Sequence, residues 1–312
     1  KPSWKDYVNG DGTLVVRLRR ALYGCKQSGK LWFDKLSKTL CDLDYVANPV
    51  DRCVFNKMIG DKQCTVAIHV DDLYMTHISK ETLKSEVKTI GRKFSGYKEQ
   101  DDNTIEHLGM NITRKHDCGY VVDMIGFTHK ALSMWSEPNT RSGINPAVTD
   151  LFNEYDSSPE LSASRKEEFH SMVARLLFMS IRTRPDIHVV VSYLMTRATI
   201  ANVNDWYKLV QLMTYLKCSP DYGIGFRAGG PLKLEVYCDA SYACHAGATS
   251  RTGVIIMMAG GVVAVRSSKQ KLVTQSSTEA ELVAINEGAT MALAHIQFLR
   301  LQGLDPGVVK IH

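Results

Sequence analysis

Paired cysteine motifs are what this chain lacks first. Its eight cysteines include no CxxC and no knuckle spacing with histidine, which excludes zinc ribbons, zinc knuckles and a disulfide scaffold. Cys238 and Cys244 with His245 form the only cluster, and it is a weak metal candidate. The cysteines read as reduced, small core residues of a cytosolic or nuclear protein. Long apolar runs are lacking too. The longest, Val254 to Val265, is broken by Gly260-Gly261 and is too short to cross a bilayer. No signal peptide is visible, so no membrane partner is expected. Nor is there an excess of one charge, the net being a mild +5. That charge is uneven, however. Arg17, Arg19, Arg20, Lys26, Lys30, Lys35 and Lys38 are opposed only by Asp34. Such a strip can bind phosphates, although most basic runs are simply solvated faces.

What is present suits folded domains. With 312 residues, 44% hydrophobic and 23% charged, the chain can bury two ordinary cores. Its most informative stretch runs from Thr65 to Met75. Val66, Ile68 and Val70 alternate with smaller or polar neighbours, the period of a half-buried strand. Asp71 and Asp72 then stand side by side before an apolar run resumes at Leu73. This pattern predicts a β-hairpin with the two aspartates at its tip. A solvated turn is one reading, since Asp is a common turn residue. A divalent-metal site is the other, because adjacent carboxylates favour a cation over standing unpaired together.

Elements on either side follow from periodicity. Leu14 to Leu18 reads as a strand, and Gly24 and Gly29 mark a turn into a helix striped by Trp32, Leu36, Leu40 and Leu43. Cys53-Val54-Phe55 begins a strand leading through Gly60-Asp61 to the aspartates. Lys80 to Phe94 is expected to be a helix, while Ile105 to Thr113 and Tyr120 to Met124 are expected to be two strands. Between Thr140 and Ser164 the apolar pattern gives way to Asn, Pro, Ser, Asp and Gly, the best linker in the chain. Three helices follow, carrying Phe169 to Leu177, Ile187 to Leu194 after Pro185, and Trp206 to Met213. From Leu232 the character is α/β. A strand ends on Asp239, a hairpin turns at Ala259-Gly260-Gly261, and Ser267 to Lys271 is a basic connection. A long helix opens at Ser276, and Val308 to His312 is a last strand.

These residues in this order resemble the copia-type (pseudoviral) retrotransposon polyprotein, from the later part of its reverse transcriptase through most of its RNase H. The segments that carry the resemblance begin with Ala21-Leu22-Tyr23-Gly24-Cys25-Lys26-Gln27, Leu31-Trp32-Phe33, Val70-Asp71-Asp72-Leu73 and Leu108-Gly109-Met110. Thr183-Arg184-Pro185-Asp186, Tyr215-Leu216-Lys217, Asp239-Ala240-Ser241-Tyr242, Ser267-Ser268-Lys269-Gln270 and Ser276 to Glu281 continue it. The implied fold is α+β and α/β. Residues 1–76 would be a partial palm, 77–145 thumb-like, 146–231 a helical connection, and 232–312 an RNase H-like domain truncated at its C-terminus.

The resemblance also assigns roles. Asp71 and Asp72 would hold catalytic Mg²⁺, with Mn²⁺ as the alternative. Tyr23, Gly24, Lys26 and Gln27 match the stretch lining the nucleotide and template, a core aromatic being the other reading of Tyr23. Leu108, Gly109 and Met110 match the turn supporting the primer end. Asp239 and Glu281 would be two acids of a two-metal nuclease site. On the residues alone both Glu279 and Glu281 read as helix caps; the resemblance leaves Glu279 to the cap and gives Glu281 to the metal. Lys269 and Lys271 would meet hybrid phosphates, or else belong to a solvated loop. The implied partners are an RNA–DNA hybrid, an RNA template, a DNA primer, dNTPs and the remaining polyprotein segments, in cytoplasmic virus-like particles and the nucleus. Two departures stand out: His69 replaces an aromatic two residues before the aspartates, and the usual Ala-Pro is missing after Gln27. A third palm acid is expected before Lys1 and a third nuclease acid beyond His312, so this piece by itself is expected to be inactive. A non-catalytic nucleic-acid-binding remnant and a structural subunit are the rival readings.

Overall fold

The computed structural model of the chain describes all residues except 1–3, 20, 23, 117–118, 138–142, 156 and 230–231, together with all side chains of the described residues but those of 5 and 6. The backbone divides into two compact units, residues 1–98 and 99–312.

In the first unit, helix α1 (Lys26–Cys41) is followed by strands β1 (Val46–Ala47), β2 (Val54–Ile59), β3 (Lys62–His69) and β4 (Asp72–Thr76), and then by helix α2 (Lys80–Gly91). The strands form one antiparallel sheet in the order β1-β2-β3-β4. Alternation decides which side of β3 is covered: Cys64, Val66 and Ile68 are buried against Leu36 and Leu40 of α1 and Ile90 of α2. Each such side chain contributes about 1.5–3 kcal/mol of transfer free energy. Ser79 caps α2, its hydroxyl accepting the Thr82 N–H at 3.2 Å. The strand expected at Leu14 to Leu18 is reduced to one bridge between Val8 and Leu14. Val15, Val16 and Leu18 are exposed, because an alternating pattern makes a strand only where a sheet and a covered face receive it.

The second unit holds two sheets. Strands β5 (Thr104–His107), β6 (Met110–Arg114) and β7 (Tyr120–Asp123) form an antiparallel meander, to which β8 (Gly223–Phe226) adds from far along the chain. The stretch Ile105 to Thr113, expected to be one strand, is therefore a hairpin. Leu108 and Gly109 both have positive φ, 54° and 73°, the pattern of a two-residue I′ turn. Helices α3 (Ile125–Ser133), α4 (Ala163–Ser180), α5 (His188–Thr196) and α6 (Val203–Cys218) build the largest core, around Phe169, Leu176, Leu194 and Leu209.

The expected linker is packed into this core rather than lying free. Leu151 and Leu161 are buried, and polar side chains of α6 and its cap accept responsibility for the irregular backbone. Asn202 donates to the carbonyls of Glu154 and Tyr155 at 3.1 and 3.2 Å, Lys208 donates to that of Asn153 at 2.5 Å, and Gln211 donates to that of Asn145 at 2.8 Å. Satisfying backbone groups with side chains lets a polar segment lie against a core.

The last sheet comprises β9 (Leu234–Ser241), β10 (Arg251–Met258), β11 (Gly261–Lys269) and β12 (Lys310–Ile311), in the order β11-β10-β9-β12. The first three strands are antiparallel neighbours, and β12 joins β9 in parallel. Between β11 and β12 runs helix α7 (Ser277–Leu301), which packs on β9 and β10. Ala280, Ala284, Gly288 and Ala292 are its buried residues, four apart, so the helix backbone lies close to the strands. By length and apolarity α7 equals a membrane-crossing helix, but this small-residue seam is committed to the sheet. The molecule is thus mixed α and β with three four-stranded sheets among its described residues.

Candidate active site

The paired aspartates sit where β3 turns into β4. His69 pairs with Asp72, so Val70 and Asp71 alone make the turn and Asp72 is the first residue of β4. Val70 has φ 54°. Positive φ at the first central residue is the II′ pattern, in which glycine is the usual occupant. A β-branched residue there costs on the order of 1–2 kcal/mol. The sequence gives no sign of what holds it. The indole Nε1–H of Trp32, on α1, donates to the Val70 carbonyl at 2.7 Å. Trp32 in turn packs on Phe94, with ring centroids 5.3 Å apart.

Asp71 and Asp72 are both exposed, and neither carboxylate has a hydrogen-bond or ion-pair partner among the described residues. No group of three His, Cys, Asp or Glu is placed to hold a metal among the described residues. Two free carboxylates still fit Mg²⁺, which is commonly held by one or two carboxylates with the remaining positions filled by water and substrate phosphate.

Tyr23 lies outside the described residues. Gly24 has φ 87°, a conformation open to glycine, and it ends the approach to α1. Cys25 is the N-cap without a side-chain cap bond, and Lys26 and Gln27 are exposed in the first helical turn. Gly29, expected to belong to the turn, is already helical. Arg17, Arg19, Lys26, Lys30, Lys35 and Lys38 are all exposed. Leu108, Gly109 and Met110 belong to the second unit, where they form the β5–β6 turn and the start of β6, with Met110 packed against the helical core.

Asp239 is exposed near the end of β9, opposite Gly253 on β10. Glu281 is half-buried in α7. Burial pushes up the thiol of Cys238, the strand neighbour of Asp239, and the charge of Glu281 pushes it further. The fold thus brings Glu281 beside the strand that carries Asp239. Glu279 has a separate task. Ser276 Oγ accepts the Glu279 N–H at 3.2 Å, while a Glu279 carboxylate oxygen accepts the Gln275 N–H at 2.7 Å. Glu279 is spent on the helix start, as expected; the Glu281 carboxylate has no hydrogen bond among the described residues.

Lys269 and Lys271 are exposed on either side of buried Gln270. Gln270 was missed by sequence reasoning, being an ordinary polar residue in a basic loop. Its amide donates to Thr252 Oγ1 at 3.1 Å and to the Ala280 carbonyl at 3.0 Å, tying the loop to both β10 and α7. The alternation then turns the two lysines outward. The weak cluster at Cys238, Cys244 and His245 is not a ligand set. His245 is buried between the rings of Phe152 and Tyr193, and burial with the charges of Arg251 and Lys269 holds its pKa down at about 4.

Residues 4–144 match the family described as reverse transcriptase (RNA-dependent DNA polymerase). Over 269 residues the chain is 28% identical to the retrovirus-related Pol polyprotein from transposon RE2 of Arabidopsis thaliana, covering 86% of this chain and 18% of that protein. It is 25% identical over 309 residues to the corresponding polyprotein from transposon TNT 1-94 of Nicotiana tabacum, covering 95% of this chain and 23% of that one. A transposon Ty5-1 protein of Saccharomyces cerevisiae is 27% identical over 281 residues, with 88% of each chain covered. The chain therefore spans about a fifth of the two Pol polyproteins. The matched segment includes the Val70-Asp71 turn and the start of α1, and the similarity continues across the second unit: the chain is similar along nearly its whole length to copia-type retrotransposon Pol polyproteins, with a reverse transcriptase segment over residues 4–144.

Proposed function

We propose that the chain is the part of a retrotransposon polyprotein that carries the later reverse transcriptase and most of an RNase H-like domain. The parent would copy RNA into DNA and cleave the RNA of RNA–DNA hybrids. The observation that carries this reading is the pair of unpartnered carboxylates on a fixed turn inside the family-matched segment. Asp71 and Asp72 would hold Mg²⁺, or Mn²⁺ in its place. Such ions lower the barrier to phosphoryl transfer by stabilising charge on the attacking and leaving oxygens. Gly24, where a nucleotide can approach the backbone closely, and Lys26 and Gln27, which can meet phosphate and base, would line the nucleotide and template site together with Tyr23. The Leu108-Gly109-Met110 turn would support the primer end.

In residues 232–312 we assign the nuclease role to Asp239 and Glu281. What supports it is a three-strand antiparallel sheet extended by a parallel fourth strand, crossed by one helix that carries Glu281 beside β9. Lys269 and Lys271 would meet hybrid phosphates.

Mn²⁺ binding by the chain, followed by electron paramagnetic resonance with a hybrid primer–template and dNTP present, tests the central claim. Replacing Asp71 and Asp72 together by Asn should weaken Mn²⁺ retention at this site at least about tenfold, as expected for removing both charges, with the unfolding midpoint unchanged. Unaltered retention would assign the turn to solvent and favour the non-catalytic remnant.

A further inference from the structure

We propose that Trp32 is a positioning residue for the Asp71-Asp72 turn, acting through its hydrogen bond to the Val70 carbonyl; this rests on the metal-holding role proposed for the two aspartates. The bond joins residues 38 apart in sequence at 2.7 Å. It reaches the one residue of the hairpin turn with unfavourable backbone, Val70, at φ 54°. The Val70 carbonyl belongs to the peptide plane that leads into Asp71. Fixing that plane fixes the direction from which both carboxylates leave the sheet.

Trp32 is itself held. It lies on the helix whose Leu36 and Leu40 are fully buried. Its ring packs on Phe94 at 5.3 Å, and the Lys35 ammonium lies over that same Phe94 ring at 5.2 Å. The same helix opens at Lys26 and Gln27. One rigid element thus carries both the segment assigned to nucleotide and template and the donor that sets the acidic turn. A phenylalanine at position 32 would keep the stack and lose only the donor, so packing and positioning are separable.

The experiment compares the chain with Trp32→Phe and Asp71→Asn, reading Mn²⁺ affinity and unfolding midpoint together. Trp32→Phe should weaken Mn²⁺ binding by about three- to tenfold, with the midpoint lowered by no more than the loss of one hydrogen bond accounts for. Unaltered Mn²⁺ affinity in Trp32→Phe, alongside loss in Asp71→Asn, overturns the positioning role and leaves the metal site standing. Equal retention in all three removes the metal reading and this inference with it. A second measurement needs no substitution. In the unaltered chain the Trp32 indole proton should exchange slowly and be the first indole signal broadened by Mn²⁺. Exchange as fast as that of exposed Trp4 would overturn the hydrogen bond in solution.

Discussion

Arg184 and Asp71 are opposite cases of what a charged side chain does in this fold. Asp71 has no partner among the described residues, whereas Arg184, 1% exposed, has every side satisfied. It donates to the Asp186 carboxylate, to the Ser219 carbonyl at 2.8 Å and to the Ser219 hydroxyl at 2.9 Å. The rings of Tyr215 and Tyr222 flank it. The Thr183 to Asp186 motif is thereby explained as a staple between α4 and the end of α6. Replacing Arg184 with Met should cost about 2–4 kcal/mol, since the Ser219 carbonyl loses this buried donor and Asp186 keeps only the Tyr215 hydroxyl, and denaturant unfolding of the chain would measure it. His245 gives a second expectation. Its pKa is about 4 in the folded chain and near 6.5 unfolded. The unfolded state therefore binds the proton first as pH falls. The stability is fully present above about pH 6.5 and is lost progressively towards pH 4, by on the order of 2–3 kcal/mol. His188, also buried and shifted down, adds to the same slope. Unfolding free energies at pH 7, 6, 5 and 4.5 for the chain and for His245→Phe check this; the variant should show the shallower dependence.

At the scale of elements, α7 depends on what its seam omits. A Cβ at Gly288 would stand 2.1 Å from Cys238 Sγ and 3.3 Å from Val236 Cγ1. Alanine raises helix propensity by about 1 kcal/mol over glycine, yet here the overpacking wins. Gly288→Ala should destabilise by about 1–3 kcal/mol, and Cys238→Ala should relieve most of it, giving a non-additive double-mutant cycle by thermal or denaturant unfolding. Additive costs would mean that the helix slides instead. The same seam shows what sequence could reveal. Residues four apart on one face, and Val66 and Ile68 alternating on another, announce helix and strand through their period. So do the fixed glycines at Gly60 and Gly260, which sit at hairpin turns. Leu108 and Val70 were not legible as left-handed residues, because nothing in a Leu or Val side chain asks for positive φ. The stretch from Thr140 to Ser164 read as a linker because what it offers the side chains of α6 is backbone carbonyls, and carbonyls leave no mark in a sequence. Trp32 was read as core for a similar reason: its stripe is visible and its donor's target is not.

For the whole molecule, charge is the property most open to measurement. The net charge of +5 is small, but two groups of exposed cations, one in each compact unit, are the ones that bear on phosphate binding. The first is the strip of Arg17, Arg19, Lys26, Lys30, Lys35 and Lys38, and the second is Lys269 with Lys271. A weak overall field cannot produce strong salt dependence by itself, so a steep one would report local phosphate contacts. Each contact to duplex phosphate contributes about −0.9 to the slope of log affinity against log salt, somewhat less on single strands. Replacing Lys269 and Lys271 together by Gln should flatten the slope for an RNA–DNA hybrid by about two. Lys26 and Lys30 replaced together should do the same, because their exposed position in the first turns of α1 is equivalent in charge. Lys35 is the internal control: its ammonium lies over the Phe94 ring at 5.2 Å, so Lys35→Gln should change the slope by much less than one. Filter binding or fluorescence anisotropy across a salt series distinguishes the outcomes. A slope unchanged by the Lys269 and Lys271 pair assigns the Gln270 loop to solvent, and equal effects from all positions would mean a diffuse field in place of the two contact sites.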